Sequence, residues 1–562
     1  MKLKNTISNQ KLRGGYYTPE IISDFITNWA LENKGKTVLE PSCGDGVFLE
    51  SLIKNPNSKK IDEIIAIEYN EKEAKKVSNI IAKHPDFKKT CNVVVGDFFK
   101  FFNEKIKHKK FDIILGNPPY IRYQYFENSQ LIEALKIMKS AGIKSNKLTN
   151  IWAPFLIAAM LALNKGGRLG MVIPAEIMHV NYGSDVRLFL SKFPAKITII
   201  TFKELVFPDV QQEIILMLIE KDKLDDGLQN ELFNSKINII QVKDIESLKN
   251  LENKNIENSE YKKIEPTEDK WTRYFLSKQE LKVLKTISEL QKLSRFGELA
   301  EVDVGTVTGA NNYFVVPEDT LKKYQLEKIA LPLVGRSMHI PGIIFDKKDW
   351  LENKKKGVAA HLLNFPKDSF EKYPKKMQEY IHLGEKEKIH KGYKTGIRER
   401  WYQVPSIWKP DAFLLRRSHR FPKLILNEAN ANTTDTMHRV KIRPGVDHYS
   451  LIFCFYNSIT MAYSELVGRS YGGGVLEILP NDAETMLIPY VKCKKSDLEH
   501  IDKLFRSDKN IENIMDYVDD IVLKQKFGFS DQTITTFRDI WKKLASKRLD
   551  RKKSLQSILT KE

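Results

Sequence analysis

Thr37-Val38-Leu39-Glu40-Pro41-Ser42-Cys43-Gly44-Asp45-Gly46-Val47-Phe48 joins a short β-branched run to a glycine-bearing turn that opens a helix. Working outward, apolar runs at 63–69, 91–97, 111–117, 168–174, 196–202 and 213–221 alternate with helical patterns. The alternation predicts an α/β fold: a Rossmann-like, doubly wound, seven-stranded, mostly parallel sheet. The last two runs are separated by about ten residues without helical periodicity, which predicts a hairpin and one antiparallel strand. Upstream, Tyr17-Thr18-Pro19-Glu20 predicts a helix start with proline at its first position, followed by apolar residues at 21, 22, 25, 26, 29 and 30.

A chain of 562 residues is long enough for two domains, each with its own core. With 42% hydrophobic and 29% charged residues it reads as globular, which excludes fibrous and low-complexity classes. Met1-Lys2-Leu3-Lys4-Asn5 carries no apolar segment after its lysines, and no run is long enough to cross a bilayer, so a cytoplasmic chain with no membrane partner is expected. Cys43, Cys91, Cys454 and Cys493 are scattered, which argues against a metal site or a disulfide framework. The net charge is +19, and residues 261–562 hold 54 Lys and Arg against 40 Asp and Glu, so the second half is expected to carry most of a phosphate footprint. Residues 222–262 are rich in Lys, Asn, Asp and Glu and suggest a junction. The expected domains are therefore 1–260, a mixed strand-and-turn α+β domain at 261–495, and a basic helical segment at 496–562.

In doubly wound sheets, ligands bind beyond the carboxyl ends of the strands, and glycines allow backbone to approach them. Gly44 and Gly46 are followed by Phe48 and Leu49, without the third glycine of a pyrophosphate site. Glu68, closing the second run, suits the two hydroxyls of a ribose. Glu40 and the backbone of Ser42 would face an aminoacyl end, and Asp97, closing the third run, could accept from an adenine amine with Phe98 beside the ring.

The fourth run ends in Asn117-Pro118-Pro119-Tyr120. A ring-conjugated amine is a poor nucleophile because its lone pair is delocalised. The side-chain oxygen of Asn117 and the backbone oxygen of Pro118 can accept both amine hydrogens and favour a pyramidal nitrogen, while Tyr120 stacks on a base withdrawn from the duplex.

Thr18-Pro19, the turn from Glu40 to Gly46, Glu68, Asp97 and Asn117-Pro118-Pro119-Tyr120 stand in the motif order of the gamma-class adenine-N6 DNA methyltransferases, which residues 14–221 resemble. The resemblance implies a class I methyltransferase domain using S-adenosyl-L-methionine, and double-stranded DNA as substrate. It also implies that Tyr17 and Thr18 close over the methionine end, that Phe155 borders the cofactor adenine opposite Tyr69, and that Phe207 packs against the extruded base. A type II restriction–modification setting implies a separate cognate endonuclease, since the motifs begin too near the start for a fused nuclease, and a monomeric enzyme. An RNA adenine or protein-glutamine N-methyltransferase, or a non-catalytic DNA-binding subunit, are the alternatives. In the second half, a target-recognition domain by looser resemblance, DNA contacts are expected from Arg398, Arg400, Trp401, Arg416, Arg417, Arg420, Arg469 and Tyr471, with Arg122 added from the first half. The loops 305–312 and 469–474 are expected to bring backbone close to a partner.

Overall fold

The computed structural model describes residues 17–121, 127–143, 150–180, 183–204, 206, 213–223, 235–265, 270–471, 474–507 and 510–559, without the side chains of 471 and 550–559. The chain divides into two compact units, the first comprising the residues through Lys278 together with those from Lys553, and the second Gln279–Lys552.

The first unit is built on strands β1 (Thr37–Glu40), β2 (Glu63–Glu68), β3 (Cys91–Val95), β4 (Phe111–Gly116), β5 (Leu163–Pro174), β6 (Ala195–Phe202), β7 (Ile214–Lys221), β8 (Lys236–Val242) and β9 (Lys262–Lys263). Their order is β3-β2-β1-β4-β5-β7-β6-β8-β9. β7 runs antiparallel between β5 and β6, as the short interval before it without helical periodicity predicts. The sheet therefore has nine strands, not seven: β8 adds in parallel to β6, and β9 returns antiparallel on β8. β8 lies in the stretch expected to be a junction, where only Ile237 and Asn238 of the strand are buried and the rest is partly or fully exposed.

β5 is buried along most of its length, as a central strand covered on both faces should be. The helix Glu20–Leu31 lays Ile22, Ile26, Trp29 and Ala30 into this core. Pro19 occupies the capping position itself rather than the first helical turn. Arg168 of β5 ties this helix down: its guanidinium donates to the Trp29 carbonyl at 2.6 Å and to Glu220 of β7 at 2.9 Å.

In the second unit, a five-stranded sheet runs in the order Ala300–Val304, Met437–Ile442, Ala412–Leu415, Leu424–Asn427, Ile344–Phe345. A four-stranded sheet contains Val315–Val316, His361–Leu363, Ala330–Val334 and Asn432–Thr433. The helices Lys495–Ser507 and Ile511–Val518 follow, then Asp531–Leu559, of which residues through Lys552 belong to this unit. Two cysteines distant in sequence meet here, with Cys454 Sγ 3.8 Å from Cys493 Sγ. Among the described residues no acidic, histidine and cysteine cluster could hold a metal, and no helix is long and apolar enough to cross a membrane.

The last helix is fastened by a buried ion pair. Arg548 donates to both oxygens of Glu465, at 2.6 and 3.1 Å, and its remaining donors reach the carbonyls of His419 and Gly474 at 2.5 Å. Removing one member of such a pair strands the other charge in the interior. Arg548→Ala should lower the urea-unfolding free energy of this unit by roughly 3–5 kcal/mol, and a loss below about 1 kcal/mol would deny the pair that role.

Candidate functional site

The carboxyl ends of β1, β2, β3 and β4 converge on one edge of the sheet, and their terminal residues form the site. After β1 the chain turns through Cys43, whose N–H donates to the Ile67 carbonyl of β2 at 2.9 Å. Gly44 and Gly46 then take positive φ values of 53° and 93°, a region that disfavours side chains. A Cβ on Gly44 would meet nothing within 4 Å, so backbone there faces open space.

Glu40 is 1% exposed, and neither of its carboxylate oxygens has a hydrogen-bond partner. Burial, then the charges of Asp45 and Glu68, push its pKa well above the usual carboxylate range. Glu68 is in the opposite condition. One oxygen accepts the Gly44 N–H at 2.9 Å and the other the Asn70 N–H at 2.8 Å, so this acid braces the turn. Its pKa is still raised, because burial outweighs those amides. Asp97 caps the short helix Phe98–Phe101 through the Lys100 N–H at 2.7 Å and accepts from Gln130 Nε2 at 3.0 Å. Gln130 was not foreseen: it lies on the separate helix Asn128–Ser140, and its spacing from Asp97 carries no local signal.

Phe98 is buried and stacks on Phe155, with ring centroids 4.9 Å apart and planes at 12°. Tyr69 and Tyr17 stand exposed. Partial burial and the nearby Glu127 carboxylate raise the pKa of the Tyr69 hydroxyl.

At the end of β4, Asn117 Nδ2 donates to Thr18 Oγ1 at 3.1 Å. Tyr120 is buried, and its hydroxyl donates to Asn117 Oδ1 at 2.6 Å with the Val172 carbonyl also within reach at 3.0 Å. The carboxamide is thus held at both ends. Ser42 Oγ donates to the Asn117 carbonyl at 3.4 Å and links the β1 and β4 loops. Pro118 is buried behind them. The structure therefore brings Thr18, Glu40, Ser42, Gly44, Glu68 and Asn117 to one edge, with Tyr120 folded onto Asn117. Arg122 and Phe207 lie outside the described residues.

The basic residues singled out in the second unit are mostly spent on their own chain. Arg398 donates to the carbonyls of Val307 and Thr308 at 3.1 and 2.8 Å, and Arg400 to those of Lys367 and Asp368. Trp401 packs against Tyr313, at 5.1 Å between centroids. Arg416 and Arg417 share Glu477, and Arg469 bonds Asp482. Arg417 and Arg420 remain exposed to solvent, and the Tyr471 side chain and Gly472-Gly473 lie outside the described residues. Gly305 brings backbone close to its own chain rather than to a partner, since a Cβ there would fall 1.9 Å from the Thr434 carbonyl oxygen.

Comparison with known proteins follows the same division. Residues 38–207 match the Eco57I restriction-modification methylase family, and residues 268–523 match the C-terminal domain of the type II methyltransferase M.Eco57I. The type II methyltransferase M.AccI of Acinetobacter calcoaceticus is 26% identical over 544 residues, covering 92% of this chain and 94% of that one. M.HindII of Haemophilus influenzae is 25% identical over 59% of this chain and 60% of its own. A nuclease-deletion mutant of the Type ISP restriction-modification enzyme LlaGI, solved with a DNA substrate mimic, aligns at 14% identity and a TM-score of 0.47, over 87% of this chain and 55% of that one, too loosely to add to the argument. With a restriction–modification methylase match on the sheet that carries the site and a type II methyltransferase match on the second unit, the chain is similar across both units to the methyltransferases of type II restriction–modification systems.

Proposed function

We propose that this DNA methyltransferase is of the gamma class and transfers a methyl group from S-adenosyl-L-methionine to the N6 amine of an adenine withdrawn from a specific duplex sequence. The observation that carries the reading is the Asn117 carboxamide, fixed by Thr18 on its nitrogen and covered on its oxygen by a displaceable tyrosine hydroxyl. When bound, S-adenosyl-L-methionine supplies an electrophilic methyl group on a sulfonium sulfur. Asn117 Oδ1 and the Pro118 carbonyl would accept the two amine hydrogens and localise the nitrogen lone pair. Thr18 sets which end of the carboxamide faces the base. Tyr120 holds the same acceptor as the amine, so base entry and release of its hydroxyl are coupled, and the freed ring would stack on the base opposite Phe207. No general base is required, because positioning supplies the rate and the extra proton leaves after transfer.

A buried, unpartnered carboxylate beside an open glycine turn fits a cationic ligand that approaches backbone closely. Glu40 would hold the ammonium of the methionine end, with Ser42, Tyr17 and Thr18 around it. Glu68 keeps lone pairs for ribose hydroxyls, and Asp97 for the adenine amine between Tyr69 and the Phe98–Phe155 pair. Residues 1–260 would catalyse, 261–495 would read the sequence and 496–562 would support that domain. A monomeric cytoplasmic enzyme, paired with a separate endonuclease of the same specificity, completes the reading.

Asn117→Ala should reduce tritium transfer from labelled cofactor to DNA by at least about a hundredfold while cofactor binding persists. Transfer within a few-fold of wild type would remove Asn117 from the mechanism. Single-molecule sequencing of DNA from expressing cells should show N6-methyladenine in one context, and a modified cytosine would refute the base assignment.

The raised pKa of Glu40 has a defined sign. In the unfolded chain Glu40 ionises near the ordinary value of about 4.3, whereas in the folded, unliganded chain it stays protonated well above it. The folded state then binds more protons, so stability falls as pH rises through that window. A cation favours the carboxylate, so cofactor binding should release a proton and tighten with rising pH. Calorimetry in buffers of different ionisation enthalpy should detect the release, and Glu40→Gln should abolish it and weaken binding about tenfold or more. Equal proton release by both proteins would exclude Glu40.

A further inference from the structure

In the second unit, the segment expected to present Arg398, Arg400 and Trp401 presents other side chains instead. Tyr393 is 81% exposed and Ile397 is 70% exposed, four positions apart around the short helix Tyr393–Gly396. Large apolar groups left this far in water are uncommon, and here their base is rigid. Thr395 between them is fully buried, with its Oγ1 donating to the Ile389 and Gly392 carbonyls at 2.5 and 3.1 Å. Arg398 clamps the turn to the adjacent loop through the Val307 and Thr308 carbonyls. A Cβ added at Gly309 of that loop would lie 2.9 Å from Lys394 Cβ, so the two loops form one protrusion. Val307 adds a partly exposed apolar side chain to it.

Exposed lysines outnumber exposed acids around the protrusion by one. Lys386, Lys388, Lys391 and Lys394 are exposed, against Glu385, Glu387 and Glu399. Glu385 is paired with His382. Lys388, Lys391 and Lys394 have no ion-pair partner among the described residues, and Lys394 lies over the Tyr393 ring at 5.6 Å.

We propose that Tyr393 and Ile397 form an apolar wedge that the enzyme seats between base pairs of its duplex substrate, with Lys388, Lys391 and Lys394 on the flanking phosphates. The inference rests on the reading of the chain as a DNA methyltransferase with sequence recognition in its second unit. Apolar side chains ringed by cations are what partial unstacking of a duplex requires: the apolar group takes the place of a lost stacking partner, and the cations hold the bent backbone. A protein partner would not call for three unpaired lysines around the apolar pair. The wedge would make recognition depend on how readily a step deforms.

The test uses the full chain and a short duplex carrying the sequence that the wild-type enzyme methylates. The double variant Tyr393→Ala, Ile397→Ala removes only solvent-exposed side chains and should fold, as its circular dichroism will report. It should bind the duplex at least about tenfold more weakly. The slope of log affinity against log salt should stay unchanged, because no phosphate contact is lost. The triple variant Lys388→Ala, Lys391→Ala, Lys394→Ala should instead flatten that slope. In the wild-type complex, 2-aminopurine placed at successive steps should brighten at one step outside the methylated base and stay quenched with the double variant. Affinity within twofold of wild type for the double variant, or no brightened step, overturns the wedge while leaving methylation intact. Absence of methylation by the wild-type chain overturns the functional reading and the wedge with it.

Discussion

A carboxyl group shut away from water without a hydrogen-bond partner is costly to ionise, and Glu40 is such a group. Its neighbour Glu68 is only partly buried and accepts two backbone amides, one of them from Gly44, and so braces the turn after β1. The two acids therefore divide the work. One shapes the cleft, and the other leaves within it a buried acid that ionises only beside a positive charge. Gly44, with its positive φ and the open space above it, lies in the turn that follows Glu40, and Ser42 links the ends of β1 and β4 through the Asn117 carbonyl.

The strands that position the site were readable because each is a β-branched run closed by a turn, and β1 was read with its ends in place. β8 was not readable: Lys236-Ile237-Asn238-Ile239-Ile240-Gln241-Val242 sits in a polar stretch and becomes a strand because β6 offers it an edge. Motif residues were legible by type, since an acid at a strand end or Asn-Pro-Pro-Tyr has few structural alternatives. Their partners were not. The Gln130 amide on Asp97, the Phe155 ring on Phe98 and the Val172 carbonyl near Tyr120 come from elements more than thirty residues away.

The second unit shows why a count of basic residues locates a footprint poorly. Several arginines there are consumed internally, because a planar guanidinium with five donors can satisfy several carbonyls at once, as Arg398 and Arg548 do. Lysines, compact and strongly hydrated, are left at the surface. The surplus positive charge of this half of the chain is therefore displayed through residues that the sequence alone gave no reason to prefer.

The strand that closes the large sheet on one side, β9, is only two residues long, and both are lysines. A sheet edge offers free amides and carbonyls on which a neighbouring molecule could stack. Here Lys262 folds back to donate to the Tyr274 carbonyl at 2.8 Å, and Lys263 turns its charge outward. The β9 edge of the nine-stranded array is thus blunted over the start of β8 by a charged stub.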